Sequence, residues 1–140
     1  MDAKQLGRRL FMECWGAGKF AVLDEILDAD HKFHLPEGVL DGIPAYREML
    51  EGYYHAFNPT IEIVRVIGEG DYAAIHYTDN GNFVNDLADS SGMLKATGQS
   101  YSTFGVELIY TKEDKIIEAW PGHQSLAQYT QAGLYVPKVD

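Results

Sequence analysis

The chain is short of cysteine and of positive charge, and each shortage excludes a class of protein. Its 140 residues include one cysteine, Cys14, so no internal disulfide can form. Eleven basic residues stand against 21 acidic ones, which gives a formal net charge of −10. Nucleic-acid binding needs a cationic surface, so we expect no DNA or RNA partner. We interpret the acidity as an aid to solubility.

Long apolar runs are also missing, so no membrane partner is expected. The charges in residues 1–16 are interleaved with apolar residues, which is not typical of a secretory signal. Together with the lone cysteine, this favours a cytoplasmic protein. The length, with 46% hydrophobic residues, favours one domain over residues 1–140 that can bury a substantial core.

Motifs for metals, nucleotides and nucleophiles are absent or fail in context. His31 and His34 in "HKFH" would point to opposite faces of an extended segment, so we expect no shared metal. "GEGDYA" at 68–73 matches a dinucleotide fingerprint, but a strand follows where a helix is required. A hairpin turn explains its glycines. Cys14 lies on an apolar helix face, which favours a buried structural role.

The apolar residues follow a helical period first and a strand period later. Helices are predicted at residues 2–15, at 19–28 and between Asp41 and Asn58, with "HKFHLP" at 31–36 extended. Strands are predicted at 60–70, 71–84, 97–111 and 115–120, with a polar loop at 85–96 and a short helix at 125–134. Asp41 is the expected N-cap of the third helix. Pro121 is expected to end the last strand, because it has no N–H.

Helices followed by strands that turns connect indicate an α+β fold with an antiparallel sheet. We expect the long strands to curl around the third helix. Such a curled sheet, with helices on its concave side, leaves a pocket between the two.

Four segments carry a family resemblance through their order and spacing. They are "HLPEG" (34–38), "IGEGDYAAIHYTDNGNF" (67–83), "TGQSYSTFGVELIYTKEDKIIEAW" (97–120) and "SLAQYTQAGL" (125–134). Over about residues 5–134 the chain resembles the SnoaL-like polyketide cyclase family of the NTF2-like superfamily. The resemblance implies a cone in which three N-terminal helices pack in a strongly curved antiparallel sheet with a central pocket. It also implies aldol-type ring closure without metal or cofactor.

The resemblance further implies a pair of polar groups that transfer protons. One lies on the penultimate long strand, where this chain has Glu107. The other is an aspartate directly after the tryptophan of the last strand, where this chain has Pro121. His123 is the expected replacement, unless it is an exposed loop histidine. His34 stands in an "H-x-P" context that family members share, which suggests a general base or a donor to a carbonyl rather than a backbone cap.

Alternation along the strands predicts which side chains face the pocket. If Val106 and Leu108 face outward, Glu107 faces inward, and burial would raise its pKa. An edge carboxylate or a buried ion pair is the open alternative. Asp79 shares a face with Ile75 and is a second candidate carboxylate. "DNGN" is also a bend signal, however, and we favour a turn role for Asp79.

The expected activity is that of a cyclase, isomerase or hydro-lyase acting on a small carbonyl-containing metabolite. The catalytic candidates are His34, Glu107, His123 and Asp79, and the substrate-binding candidates are Trp15, Tyr53, Phe57, Tyr77, Tyr101, Thr103 and Trp120. For most of these aromatic residues core packing is the alternative. An apolar outer face at Phe104, Val106 and Leu108 predicts a homodimer. Pro121 favours the rival reading, a ligand-binding or dimerisation module without catalysis.

Overall fold

The computed structural model describes residues 1–89 and 92–134. Its α-helices are α1 (Ala3–Arg9), α2 (Leu23–Ile26), α3 (Gly42–Phe57) and α4 (Ser125–Gln131). Its strands are β1 (Leu27–Leu35), β2 (Gly38–Asp41), β3 (Thr60–Glu69), β4 (Tyr72–Asn82), β5 (Leu87–Asp89), β6 (Gly92–Leu94), β7 (Ser100–Lys112) and β8 (Lys115–His123). No helix in these two ranges is long and apolar enough to cross a membrane.

The first predicted helix is present, and a capping box starts it. The Asp2 side chain accepts from the Gln5 backbone N–H, and the Gln5 side chain accepts from the Asp2 N–H. The helix is α-helical to Arg9 and continues as a π-helix over Leu10–Trp15. That π-helical segment carries Phe11 and the buried Cys14 into the core.

The second predicted helix is much shorter than residues 19–28. A 3₁₀ turn covers Phe20–Val22, α2 ends at Ile26, and the backbone becomes extended at Leu27. Leu27 is the first residue of β1 to pair with β8, opposite Ile116. Pairing with a distant strand has overridden the helical period of the local sequence.

Helix α3 has the predicted limits. Asp41 takes the N-cap position, but its side chain forms an ion pair with Lys32 instead of capping the helix. Asn58 ends the helix in the left-handed conformation at φ 44°. Tyr46 and Leu50 on its inner stripe are fully buried.

The main sheet has the order β2-β1-β8-β7-β4-β3. The pairs β3–β4, β4–β7 and β7–β8 are antiparallel, as predicted. The pair β1–β8 is parallel, so the sheet is mixed and not wholly antiparallel. The helices inside the curved sheet confirm the predicted α+β cone.

Two local predictions are wrong. Residues 85–96 contain the antiparallel pair β5–β6 and are not only a polar loop. Strand β8 passes through Pro121 and ends at His123, three residues beyond the predicted end at residue 120. The register between β1 and β8 stops at Ala119, so beyond that residue β8 is an edge strand, where a missing N–H is tolerated.

Candidate active site

A cavity of about 170 Å³ lies between the helices and the inner face of the sheet. It is lined by Phe11, Trp15, Phe33, Leu35, Pro36, Met49, Tyr53, Tyr77, Asp79, Glu107, Pro121, His123, Ser125, Gln128 and Tyr129. Most of these side chains are aromatic or aliphatic. The polar ones come from β4, β7, β8, α3 and α4, so the site combines elements that are distant in the sequence.

Glu107 lies on the inner face of β7, as the alternation predicts. Along β7, Tyr101, Thr103, Gly105 and Glu107 are buried, while Phe104, Val106 and Leu108 are exposed. Oε2 of Glu107 is buried and has no hydrogen-bond partner among the residues that the structure describes. Burial without a compensating charge raises the pKa of this carboxyl group to about 8. Glu107 is therefore mostly protonated at neutral pH.

His123 belongs to β8 and lines the cavity, so its interpretation as an exposed loop residue is wrong. Its Nδ1 is 3.1 Å from the Tyr77 hydroxyl, and the two rings are nearly parallel. Tyr77 reaches it by crossing Gly105, where a Cβ would be 2.6 Å from Cζ of the tyrosine. Only glycine at position 105 leaves room for this contact.

A hydrogen-bonded chain links His123 to Asp79. Nε2 of His123 is 2.8 Å from Oε1 of Gln128, and Nε2 of Gln128 donates to the Tyr53 hydroxyl at 2.7 Å. Tyr53 in turn donates to Asp79. Because an amide oxygen only accepts, this pattern assigns the imidazole proton to Nε2. Nδ1 is then the basic atom, and it accepts from Tyr77.

Asp79 is buried within β4, so the interpretation of "DNGN" as a turn is wrong. Its carboxylate accepts from Tyr53 and, at 2.8 Å, from Tyr101. The Thr103 hydroxyl donates to the Asp79 carbonyl oxygen at 3.1 Å. Burial raises the pKa of Asp79, although the two tyrosine hydrogen bonds act in the opposite direction. Tyr101 and Thr103, expected to contact substrate, instead hold Asp79 from behind the cavity wall.

His34 and Trp120 lie on the outside of the sheet. Phe33 and Leu35 take the cavity side of β1, so alternation turns His34 away. His34 stacks on Trp120 at 5.1 Å, and its Nε2 is 2.8 Å from Oε2 of Glu118. The structure therefore does not place the catalytic candidate His34 or the substrate-binding candidate Trp120 at the cavity.

The remaining aromatic candidates divide into two groups. Trp15, Tyr53 and Tyr77 line the cavity. Phe57 is fully buried in a separate cluster with Phe83 and Tyr101, which fits the core-packing alternative.

Gln128 connects His123 to Tyr53, and the sequence pattern did not predict it as a site residue. Gln128 lies on α4 and is 1% exposed. In the sequence Gln128 is simply a polar residue in the predicted short helix "SLAQYTQAGL". Its role depends on which face of that helix packs against the cavity, and the sequence does not define that face. Phe11, Met49 and Leu35 were missed because a cavity-lining apolar residue has the same pattern as a core residue.

No group of three or more histidine, cysteine, aspartate or glutamate side chains within residues 1–89 and 92–134 is arranged to hold a metal ion. The polar groups of the cavity are suited to moving protons and to donating hydrogen bonds.

The family model of the SnoaL-like domain matches residues 8–119. The chain belongs to the SnoaL-like family. Solved structures extend the likeness of this SnoaL-like chain to nearly its whole length. A candidate SnoaL-like polyketide cyclase from Jannaschia sp. CCS1 superposes with a TM-score of 0.82 at 22% identity, covering 95% of this chain and 92% of that one.

Two Streptomyces structures are also similar to the SnoaL-like chain. TsrD from Streptomyces laurentii has a TM-score of 0.80 at 20% identity, with 94% of each chain covered. IdmH, a candidate polyketide cyclase from Streptomyces antibioticus, has a TM-score of 0.76 at 17% identity, covering 95% of this chain and 99% of that one. At these identities the likeness establishes the fold. No match was found among curated proteins.

Proposed function

We propose that the protein is a cofactor-independent enzyme that transfers protons on a small carbonyl-containing metabolite bound in the cavity. Its reaction would be a cyclisation, an isomerisation or the removal of water. The observation that carries the proposal is Glu107, a carboxyl group in the cavity wall with an unpartnered oxygen and a pKa raised to about 8. A group poised near the working pH is suited to general acid–base chemistry.

In the proposed mechanism Glu107 is the acid. Its O–H donates to the substrate carbonyl oxygen and delivers the proton as the enol forms. Burial favours this neutral form, which can donate a hydrogen bond where a carboxylate cannot.

The base is Nδ1 of His123, acting through Tyr77. The Tyr77 hydroxyl accepts the proton from the carbon next to the carbonyl as it passes its own proton to Nδ1. Burial raises the pKa of Tyr77, so the hydroxyl is protonated at rest and serves as a relay. The products of this step are the enol, a glutamate anion and an imidazolium, so the net charge in the cavity is unchanged.

The strand register supports pairing these two groups. Glu107 is opposite Pro121, and His123 is two residues further along the same face of β8. Such diagonal neighbours have their Cα atoms roughly 7–8 Å apart. A single-ring substrate can lie between them, and His123 would do the work of the aspartate that Pro121 replaces.

The test is exchange of carbon-bound protons. The protein is incubated in D₂O with acetophenone or cyclohexanone, and the loss of the α-proton signals is followed by NMR. We expect exchange that falls about 10²-fold or more in Glu107→Gln. The matched control is Glu118→Gln, on the outer face of the sheet, which should exchange like the parent protein. Exchange equal in all three proteins would contradict the proposal.

One observation favours a second candidate function, a binding module that holds its ligand without changing it. Proline at position 121 has no ionisable group where the family resemblance implies an aspartate. In this case a ketone would bind in the cavity and be recovered with all its α-protons. The same NMR experiment therefore separates the two functions.

We also propose that a second copy of the chain covers the outer face of the sheet. Phe104, Val106 and Leu108 are 50%, 47% and 41% exposed in a row on β7. A two-fold axis would place this row against itself. Light scattering should give a dimer that Val106→Lys dissociates and that Thr60→Lys, a polar control on β3, leaves intact. A parent protein that is monomeric at all concentrations would refute it.

A further inference from the structure

The charges around the cavity restrict what it can hold. Among residues 1–89 and 92–134, no lysine or arginine lines it. The ionisable lining groups are Asp79, Glu107, His123 and the tyrosines. An anionic ligand would be buried beside two acidic groups without a fixed cation, and burying an unpaired charge is strongly unfavourable.

The two carboxyl groups differ in what they offer to a ligand. Asp79 is already occupied, because Tyr53 and Tyr101 both donate to it. Glu107 has a buried oxygen with no partner in the described part of the chain. A protonated carboxyl group in that position can donate to an acceptor, and the carbonyl oxygen of a ligand can supply one.

The size and shape of the cavity set the scale of the ligand. The volume is about 170 Å³, and a dry cavity of about 150 Å³ holds benzene. Flat side chains surround it, with Phe11 stacked on Tyr77 at 4.5 Å and Trp15 edge-on to Tyr53 at 5.2 Å. These walls suit one planar ring with a short substituent.

We propose that the cavity selects uncharged, single-ring carbonyl compounds whose oxygen accepts from the Glu107 carboxyl group, and that it rejects carboxylates, phosphates and ammonium ions. A cation finds no free carboxylate in the wall, because Glu107 donates in its protonated form and the Asp79 carboxylate already accepts from Tyr53 and Tyr101. This selectivity rests on the proposed function in one respect, because both make Glu107 the donor to the ligand carbonyl. It adds to the proposed function the chemical class of the ligand. Because the donor is a carboxylic acid, ligand binding requires that Glu107 carry its proton.

The titratable groups that surround Glu107 come from several elements. They are Tyr46 on α3, Tyr77 and Asp79 on β4, and His123 on β8. Burial raises the pKa of both tyrosines, so these two stay protonated through neutral pH. A variant of Glu107 keeps all four groups, so any change in the pH dependence of binding is the contribution of Glu107.

The experiment uses three probes that share one ring and differ in charge. Acetophenone is neutral, benzoate is an anion and benzylamine is a cation. Dissociation constants are measured at pH 7 by chemical-shift titration of the full chain. Acetophenone should bind at least tenfold more tightly than either charged probe. Tighter binding of benzoate or benzylamine, or no binding of acetophenone, would overturn the proposal.

The second measurement is the pH dependence for acetophenone between pH 6 and pH 9.5. Its dissociation constant should be level below about pH 8 and then rise toward tenfold per pH unit, because the ionised carboxylate cannot donate. Glu107→Gln keeps a donor, so it should bind with no such rise, while Glu118→Gln should behave like the parent. A dissociation constant of the parent protein that is level to pH 9.5, or that falls as the pH rises, would refute the role of Glu107.

Binding and α-proton exchange are measured on the same samples, which separates the two proposals. Selective, pH-linked binding without exchange would leave the ligand class standing and remove the catalytic function. Exchange of the acetophenone α-protons, together with benzoate binding as tight as that of acetophenone, would leave the catalytic function standing and remove the ligand class.

Discussion

Tyr77 and His123 meet above the backbone of Gly105, with the tyrosine hydroxyl 3.1 Å from Nδ1 of the imidazole. The contact joins β4 to β8 across the intervening strand β7. A residue without a side chain therefore determines whether the proposed base and its relay can touch.

The first prediction concerns Gly105→Ala. A Cβ at this position would displace the Tyr77 ring, so we expect the hydrogen bond to His123 to break and α-proton exchange to fall at least tenfold. Overpacking should also lower the free energy of unfolding by about 1–3 kcal/mol. Urea denaturation and ¹⁵N shifts of the His123 ring would measure the two effects.

Tyr77→Phe provides the control for that change. It removes the hydroxyl but keeps the ring, so exchange should fall without a large loss of stability. In the double variant the Tyr77 hydroxyl is already absent, so the added methyl group has no hydrogen bond to His123 to break. The two decreases in exchange rate should therefore not add. Fully additive losses would show that Gly105 acts in some other way.

The second prediction concerns stability at neutral to basic pH. The pKa of Glu107 is about 8 in the folded protein against an ordinary value of 4.5, so the folded state holds more protons between these pH values. Stability should therefore decrease as the pH rises toward 8, by up to about 1.4 kcal/mol per pH unit. Urea titrations at pH 6.5 and 8 should show this decline in the parent and its absence in Glu107→Gln. Equal slopes would contradict the raised pKa.

The third prediction concerns His31, which is fully buried with both ring nitrogens unpartnered in the described residues. Burial lowers its pKa from 6.5 to about 4. The unfolded state therefore binds more protons between these values, and stability should fall as the pH is lowered from 6.5, by up to about 1.4 kcal/mol per unit.

His31→Phe should remove this acid sensitivity, because the ring packs among Phe33 and Tyr46 and no hydrogen bond is lost. His34→Gln, on the exposed face of the same strand, should keep it. The comparison is the urea midpoint at pH 5 and at pH 6.5 for the three proteins. An unchanged pH slope in His31→Phe would assign the acid sensitivity to other groups.

The fourth prediction separates the two histidines that the sequence analysis offered as catalytic. His123→Ala removes Nδ1 and should lower α-proton exchange by about 10²-fold or more. His34→Ala, which alters only the outer face, should leave exchange within about twofold. A loss in His34→Ala equal to that in His123→Ala would mean that the outer face takes part.

Strand alternation placed Glu107 correctly, because β7 is long and regular and its two faces differ sharply in burial. The same rule could not place His34. Its strand is short in the sequence pattern, and the neighbours that decide its face, Phe33 and Leu35, show their role only when β1 pairs with β8. The family resemblance suggested His34 as a catalytic residue, but it does not show how β1 pairs with β8.

The hydrogen-bonded chain from His123 to Asp79 was beyond sequence reasoning for a different reason. Its middle member, Gln128, comes from α4, and its other partners come from α3 and β4. Periodicity defines the faces of each element separately, whereas this polar chain depends on how four elements, β8, α4, α3 and β4, dock against one another. The fold class needed only the order of helices and strands, so it could be predicted.

The parallel pairing of β1 with β8 has a consequence for how the protein folds. It joins the two ends of the fold, and beside it Lys115 donates to the Glu25 carbonyl across 90 residues of sequence. Contacts of such long range slow folding, because the intervening chain must be ordered before they form. During synthesis on a ribosome, α1, α3 and the β3–β4 hairpin would emerge with one flank of the cavity unformed. The nascent chain would expose its apolar interior until β8 is released. The pairing of β8 with β1 is therefore the folding step that closes the sheet around the cavity.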